Sequence, residues 1–274
     1  MEQITFNKLC RWLRLNTNLV GSQYQMLEQK VMTFLFLLWP RGYAALASHF
    51  FGITQSSVSD TFHAVIRPVV DLHNAFVTQP DDNAVSPEIE LDAKQQPFSG
   101  CIGAIDGTHI AAHIPLEHQR RFWNRKGKLS QNVLAAVRLG GTFAYVAAGG
   151  EGRIHDASLC RMALARNFKI PDKRFYLGDA GFGLQQGLIV PYPNTRYHLQ
   201  DWRNADRKPA TKEELYNLRH ARLRIVVEQT FGRVKRKFKI IRDNPPEYDF
   251  KYQVFIVYAV TGLWNFICKL EEAD

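Results

Sequence analysis

Three acidic residues stand where a carboxylate is costly. Asp106 closes the apolar run Cys101-Ile102-Gly103-Ala104-Ile105, Asp179 closes a second run that starts at Phe175, and Glu228 interrupts an amphipathic helical pattern between Leu223 and Val234. A carboxylate at the end of a buried strand gives up hydration and must recover it from a partner. Mg2+ and Mn2+ require hard oxygen ligands held on rigid elements, and phosphoryl-transfer sites often set two such ions between carboxylates. The formal charge of +9 and a pI near 9.4 favour polyanionic partners, nucleic acid ahead of an acidic membrane surface. Taken singly, each acid reads as a cap or an ion-pair partner. Together, in so basic a chain, they point to a divalent-metal site serving a phosphate substrate. Gly107, Gly178 and Gly181 remove side chains beside two of them, which would let a nucleic-acid backbone approach closely.

Basic residues gather in two places. Arg120, Arg121, Arg125, Lys126 and Lys128 surround Phe122 and Trp123, a mixture suited to phosphate contact and base stacking. Arg224, Arg233, Lys235, Arg236, Lys237 and Lys239 lie along the stretch that carries Glu228. Arg224 and Gly232 flank Glu228 one turn away on either side, so its face carries a guanidinium and a bare patch. The second basic run also reads as a solvated helix face or a nuclear-import patch, but its sharing a helix with Glu228 favours DNA. The pair His155-Asp156 opens a helical segment, where Asp156 is placed to cap. His109 and His113 lack a further Cys or His at suitable spacing, which sets zinc aside.

These residues must be positioned by two kinds of structure. Residues 1–78 read as helical, and Tyr43–Ile66 has the layout of a helix-turn-helix, with one helix ending near Phe51, Gly52 in the turn, and Thr54 or Ser56 capping the second. Such a second helix presents its first turns to the major groove, here Gln55, Ser56, Ser57 and Ser59, although Asp60 is acidic and the helix is poor in Lys and Arg. Residues 79–97, whose stretch Gln79–Asp92 holds five acids, two prolines and no base, are expected to cross the surface as an acidic linker. From Phe98 the pattern turns to strands: Phe98–Ile110, then Gln131–Leu139 and Thr142–Ala148 around the hairpin signal Gly140-Gly141, a helix over His155–Ala165, and a strand over Arg174–Asp179. Thr211 caps a helix that runs on towards Ile241, with Leu223, Val226, Val227, Val234, Phe238 and Ile241 as its buried stripe. The basic segment Tyr192–Pro209 is a candidate substrate contact. The expected architecture is an α/β domain, residues 98–274, behind an all-helical lobe, residues 1–78.

At 274 residues, 46% hydrophobic and 22% charged, the chain has the make-up of a globular protein with a sizeable core. Cys10, Cys101, Cys160 and Cys268 are far apart and form no CxxC pair, so the expectation is buried thiols in a soluble intracellular protein. Glu2 and Lys8 precede any apolar stretch, unlike a signal peptide. Val31–Trp39 is too short to span a bilayer and Phe250–Leu270 contains Lys251, Gln253 and Asn265, so both read as core helices and no membrane partner is expected.

Five segments, in order and spacing, resemble the PIF/Harbinger transposase group of DDE superfamily endonucleases, which includes HARBI-like transposase-derived nucleases. They are Gly103-Ala-Ile-Asp106-Gly-Thr-His-Ile110, Asn124-Arg-Lys-Gly127, Ile154-His-Asp-Ala-Ser158, Gly178-Asp-Ala-Gly-Phe182 and Val227-Glu-Gln-Thr-Phe-Gly-Arg-Val-Lys235. The resemblance covers residues from about 30 to 268. It implies an RNase H-like fold, a mixed sheet flanked by helices, whose DDE triad maps onto Asp106, Asp179 and Glu228 and coordinates two Mg2+ or Mn2+ ions, Asp106 bridging both. The implied reaction is in-line attack of a metal-activated hydroxyl on a DNA phosphodiester at transposon ends: water cuts the strand, and a 3′-hydroxyl joins strands. It further implies that His155 and Asp156 lie near the metals as auxiliary residues, that double-stranded DNA is the substrate, and that a Myb/SANT-like accessory protein supplies sequence-specific binding and nuclear entry. A homo-oligomer in the nucleus, reached from the cytoplasm, completes that expectation. Two other classes stay open: a host-adopted DNA-binding or scaffold protein whose catalysis is dispensable, and a nuclease acting on RNA or structured nucleic acid.

Overall fold

The computed structural model describes residues 1–39, 43–197, 208–242 and 247–271. By contact density the chain forms two compact units that are discontinuous in sequence. One comprises residues 1–77, 110–131 and 233–274, the other residues 78–109 and 132–232.

The first unit is mainly helical and includes the short helix α6 (Gln119–Phe122). Helix α1 (Gln3–Asn16) buries Leu9, Cys10 and Leu13, and α2 (Leu27–Leu38) buries Leu27, Val31, Phe34, Leu37 and Leu38, the spacing of one helical face. The expected stop at Pro40 lies outside the described residues. Helix α3 (Ala44–Phe51) ends at Gly52, whose φ of 64° is the left-handed conformation that glycine adopts without steric cost. Three residues later α4 (Gln55–Phe76) begins, capped by the Thr54 hydroxyl, which accepts from the Ser57 amide at 3.1 Å. Gln55, Ser56, Ser59 and Asp60 are exposed, while Val58, Phe62, Val65, Ile66, Val69 and Leu72 are buried.

The C-terminal helix of this unit, Phe250–Glu271, is long and apolar enough to cross a membrane by length and composition, but 61% of that stretch is buried inside the protein. It packs on α4, where a Cβ at Gly262 would stand 2.5 Å from the His73 amide nitrogen. Only a residue without a side chain allows that approach. The polar residues on this helix serve neighbouring backbone: the Gln253 amide donates to the carbonyls of His113 and Tyr248 and accepts from the His113 N–H, and Asn265 donates to the Phe76 carbonyl.

The second unit holds most of a five-stranded mixed sheet in the order β3-β2-β1-β4-β5. The strands are β1 (Cys101–Ala111), β2 (Ser130–Val137), β3 (Phe143–Glu151), β4 (Phe175–Leu177) and β5 (Leu188–Ile189). The Arg138 N–H donates to the Thr142 carbonyl across a tight turn, with Gly141 at φ 87°, so β2 and β3 run antiparallel as the Gly-Gly signal predicts. Strand β1 pairs parallel with β4 in the register Cys101↔Phe175, Gly103↔Tyr176, Ala104↔Leu177, and β4 pairs parallel with β5. Strand β2 is buried along its length, as befits a strand covered on both faces. Helix α7 (Asp156–Leu164) contributes Leu159, Cys160 and Ala163 to a core with Ile102, Ile105, Leu134, Tyr176 and Phe182.

The stretch expected as a surface linker is more closely packed than its composition suggests. It forms a short helix α5 (Pro87–Glu90) and a 3-10 turn over Ala93–Phe98, and it buries Ser86, Ile89, Gln95 and Phe98. The Ser86 hydroxyl donates to the Cys101 carbonyl at 2.8 Å, tying it to β1.

Candidate metal centre

Asp106 lies within β1, not at its end as the apolar run suggested, because the strand continues to Ala111. Burial changes there: residues 101–105 are buried and 106–108 only half-buried. Asp179 lies just beyond β4, which is three residues long, and its carboxylate accepts from the Gly181 N–H at 2.9 Å to cap a 3-10 turn over Ala180–Phe182. The parallel register then has a direct consequence. Ala104 is opposite Leu177, so the chain reaches Asp106, within β1, and Asp179, just beyond β4, the same number of residues past that pair.

A third carboxylate joins them. A Cβ at Gly107 would fall 2.1 Å from Asp156 Oδ1 and 2.3 Å from its Cγ. The space that the missing side chain leaves is therefore filled by the protein's own acid and not open to a nucleic-acid backbone, and the expected use of Gly107 is corrected accordingly. Likewise a Cβ at Gly181 would meet Asp179 Oδ1 at 3.1 Å. Asp156 is the first residue of α7 and does not cap it; His155 holds the N-cap position, is exposed, and makes no side-chain cap bond. The Asp156 carboxylate instead accepts from Asn132 Nδ2 at 2.7 Å, and the same amide donates to the Ile154 carbonyl at 2.9 Å. Asn132, fully buried in β2, fixes where Asp156 points.

Burial first of all, and then the neighbouring charges of Asp179 and Asp156, push Asp106 up to about 6, against the lowering effects of Arg224 and the Gly107 N–H. Roughly 3 kcal/mol opposes its ionisation relative to a free aspartate. One guanidinium leaves this group of carboxylates short of positive charge.

Helix α8 (Lys212–Lys237) supplies the remaining acid. The Thr211 hydroxyl accepts from the Glu214 N–H at its start. Asn217, His220, Arg224 and Glu228 follow at i, i+3, i+7 and i+11, so they lie on one face. Asn217, fully buried, accepts from the Tyr192 N–H and donates to the carbonyls of Tyr192, Thr195 and Arg196, and His220 Nε2 sits 3.2 Å from the Ile189 carbonyl. These bonds hold the chain that follows β5 up to Tyr197. Of the basic segment Tyr192–Pro209, residues 198–207 lie outside the described residues.

Arg224 then joins two of the three predicted acids. Its Nη1 donates to Asp106 Oδ2 at 3.2 Å, its Nη2 to Glu228 Oε1, and its Nε to the Tyr197 hydroxyl at 2.6 Å. Its side chain is 12% exposed, and that of Glu228 51%. Burial works against the Arg224 charge, yet Tyr197, Asp106 and Glu228 outweigh it and hold the guanidinium above its ordinary pKa. Among the described residues no group of three or more His, Cys, Asp or Glu side chains is close enough to hold a metal ion. The positive charge between Asp106 and Glu228 is the Arg224 guanidinium. The donor chemistry nonetheless fits a hard divalent cation: the available ligands are carboxylate oxygens, and Asp106 carries an electrostatic burden that added positive charge would relieve.

The basic candidates divide by exposure. Arg120, Arg121, Trp123, Arg125, Lys126 and Lys128 are all exposed. Asn124 Oδ1 accepts from the amides of Lys126 and Lys128, and Gly127 takes φ 64°, so a tight turn presents these cations. Phe122, expected beside Trp123 for stacking, is buried against Phe250 at a ring separation of 4.9 Å and is a core residue. On α8 and just beyond it, Arg233 and Arg236 are exposed, while Lys235, Lys237 and Lys239 are half-buried. Burial lowers the pKa of Lys235, and Lys237 Nζ lies 5.9 Å from the Trp39 ring centroid. In the predicted stripe of α8, Val227, Val234, Phe238 and Ile241 are buried, whereas Leu223 and Val226 are only half-buried.

Sequence reasoning missed Asn132, Tyr197, Asn217 and His220. A signal existed for three of them: an amide inside the apolar run of β2, and two polar residues in helical step with Arg224 and Glu228. Tyr197 gives none.

A family model described as DDE superfamily endonuclease matches residues 105–265, more than half of the chain. The human protein "Putative nuclease HARBI1" is 27% identical over 199 residues, 69% of this chain and 52% of that protein, and the rat protein of the same description is 27% identical over 194 residues. The Arabidopsis thaliana "Protein ALP1-like" is 23% identical over 243 residues, 81% of this chain and 56% of that protein. The chain thus spans about half the length of the curated relatives it matches. No solved structure matches it.

Proposed function

The chain belongs to the DDE superfamily endonucleases, and from that premise we propose that it is a metal-dependent DNA endonuclease derived from a Harbinger-type transposase, with Asp106, Asp179 and Glu228 as its acidic ligands. The observation that carries this is the β1–β4 register, which sets Asp106 in β1 and Asp179 just beyond β4 at the same count from the pair Ala104–Leu177. Arg224, bonded to both Asp106 and Glu228, links the helix acid to Asp106.

Asp106, Asp179 and Glu228 would hold Mg2+ or Mn2+, two ions in the family pattern, and bound metal supplies charge neutralisation at the phosphate and a hydroxyl nucleophile at neutral pH. The protein's own part is placement. Asn132 fixes Asp156 against Gly107, which keeps a fourth carboxylate beside Asp106 as an auxiliary group, with His155 next to it in sequence. Asn217 and His220 anchor the segment that delivers Tyr197 to Arg224. No side chain need form a covalent intermediate, since positioning and electrostatics dominate phosphoryl transfer.

Double-stranded DNA is the proposed substrate, bound in part by Arg120, Arg121, Arg125, Lys126 and Lys128, with Trp123 as a stacking surface and Arg233 and Arg236 as further phosphate contacts. Helices α3 and α4 form a helix-turn-helix in this reading, with Gln55, Ser56 and Ser59 towards DNA. Cutting at transposon ends, strand joining by a 3′-hydroxyl, a Myb/SANT-like accessory protein, a homo-oligomer and a nuclear location belong to the same proposal. So does the division into a helical lobe (1–78), a connecting segment (79–97) and a nuclease portion (98–274).

A second reading, a host-adopted DNA-binding or scaffold protein, is favoured by one observation: Arg224 already pairs with both Asp106 and Glu228. Cleavage of duplex DNA, terminal-repeat and random, with and without Mg2+ or Mn2+, separates the two. The nuclease reading expects metal-dependent cutting and a loss of roughly a hundredfold or more in Asp106→Asn, with DNA binding retained. Unchanged cutting by Asp106→Asn sinks the triad assignment. Binding without cutting by either protein establishes the scaffold reading.

A further inference from the structure

Every nitrogen of the Arg224 guanidinium donates to a partner in the site: Nη1 to Asp106, Nη2 to Glu228 and Nε to Tyr197. A surface arginine ordinarily leaves part of its fork to water, but this side chain is 12% exposed. Helical spacing sets it one turn before Glu228. Tyr197, reaching in from the segment after β5, fixes the plane of the fork, which a lysine could not reproduce. The two acids it binds are those assigned to metal. A guanidinium and a divalent cation cannot occupy the same carboxylate lone pairs, and their like charges repel at short range.

We infer that Arg224 is a resident counter-ion that competes with divalent metal for Asp106 and Glu228, so that metal loading and release of the guanidinium from these carboxylates are one exchange. The inference rests on the reading that the two acids are metal ligands. Arg224 acts through the acids and is a positioning residue: it holds them in place and offsets part of their charge before metal arrives. Once displaced, it remains one turn from Glu228 with its donors vacated, the chemistry that a phosphate oxygen recognises.

The test is Mn2+ binding to the full chain without DNA, by titration calorimetry, together with melting temperatures in chelator and in excess Mn2+. Arg224→Gln is expected to lower the Kd for Mn2+ about tenfold, within the usual range of coupling between two ligands. It should also lower the metal-free melting temperature and widen the Mn2+-induced rise. Tyr197→Phe, which removes only the hydroxyl that orients Nε, should shift the Kd the same way by less, and Arg224→Lys should fall between wild type and Arg224→Gln. Should Arg224→Gln fail to fold, the other two variants decide. A Kd unchanged or raised in these variants overturns the inference while leaving the metal reading intact. A wild-type chain that binds no Mn2+ overturns both.

Discussion

Helix α8 and the C-terminal helix α9 (Phe250–Glu271) are of similar length and are built on different principles. Helix α9 buries Ile256, Val257, Val260, Leu263 and Ile267, comes into backbone contact at Gly262, and spends its few amides on capping nearby main chain. Helix α8 has an apolar stripe too, but its distinctive face is Asn217, His220 and Arg224, each bonded or directed to a particular atom outside the helix, and Glu228, bonded to Arg224. A helix held by shape tolerates any side chain of the right volume. One held by directed polar bonds fixes where a neighbouring loop and a carboxylate must be. The first construction gives stability; the second gives placement, which is what a site requires.

The contrast can be broken by acid. Burial holds His73, on α4 and bonded to Thr261 of α9, at about 4, and the Tyr258 ring packs on it. Burial also holds His220, on α8, at about 4, with Arg224 lowering it further and the Ile189 carbonyl raising it; the Tyr197 and Tyr216 rings flank it. A folded pKa below the unfolded value near 6.5 means stability present above pH 6.5 and lost as pH falls towards 4. The loss should reach roughly 3 kcal/mol for each histidine at the acid limit. Urea melts between pH 7 and pH 4 check this: His73→Phe and His220→Phe should each flatten the curve. If only His73→Phe does, the polar face of α8 does not contribute stability through burial as the α4–α9 packing does.

A smaller effect tests α9 alone. Gly262→Ala would gain about 1 kcal/mol of helix propensity. The new methyl, however, would meet backbone atoms of His73 and Leu72 within 3 Å, which no rotamer change relieves. Overpacking costs about 1–3 kcal/mol, and more where backbone is met, so the expected net is a loss of up to about 2 kcal/mol, seen as a lower urea midpoint. A stabilised Gly262→Ala would show that close fit does not hold this helix. The smallest expected effect is on α8: Asn217→Ala should cost about 1–2 kcal/mol for its lost backbone bonds. It should also raise proteolytic sensitivity after Val190, because the segment from Tyr192 to Arg196 loses its anchor. Loss of stability without that sensitivity would make Asn217 a core amide only.

Much of this was legible residue by residue. Alternating and apolar runs locate β1, β2 and β3, Gly52 and Thr54 mark the α3–α4 turn, and the spacing of Arg224 and Glu228 announces their ion pair. What was not legible depends on atoms distant in sequence. The run to Asp106 looks terminal because burial ends there, yet the strand continues, since hydrogen bonding and burial are separate properties. Gly107 invites a reading of open space; only the fold shows Asp156 in it. Phe122 and Trp123 are adjacent aromatics among cations, and only the packing of Phe250 separates core from surface. Tyr197 meets Arg224 across 27 positions, a pairing no local pattern encodes.

The β1–β4 pairing has a consequence for insertions and deletions. Because β4 is three residues long, the pair Ala104–Leu177 acts as a common origin from which the chain counts out to each aspartate. One residue added between that origin and either acid turns the side chain to the opposite face of the sheet. Length change is therefore forbidden in two short windows, 104–106 and 177–179, whereas the turn from Gly183 to Gly187, beyond both acids and before β5, can change length without moving either aspartate off this count.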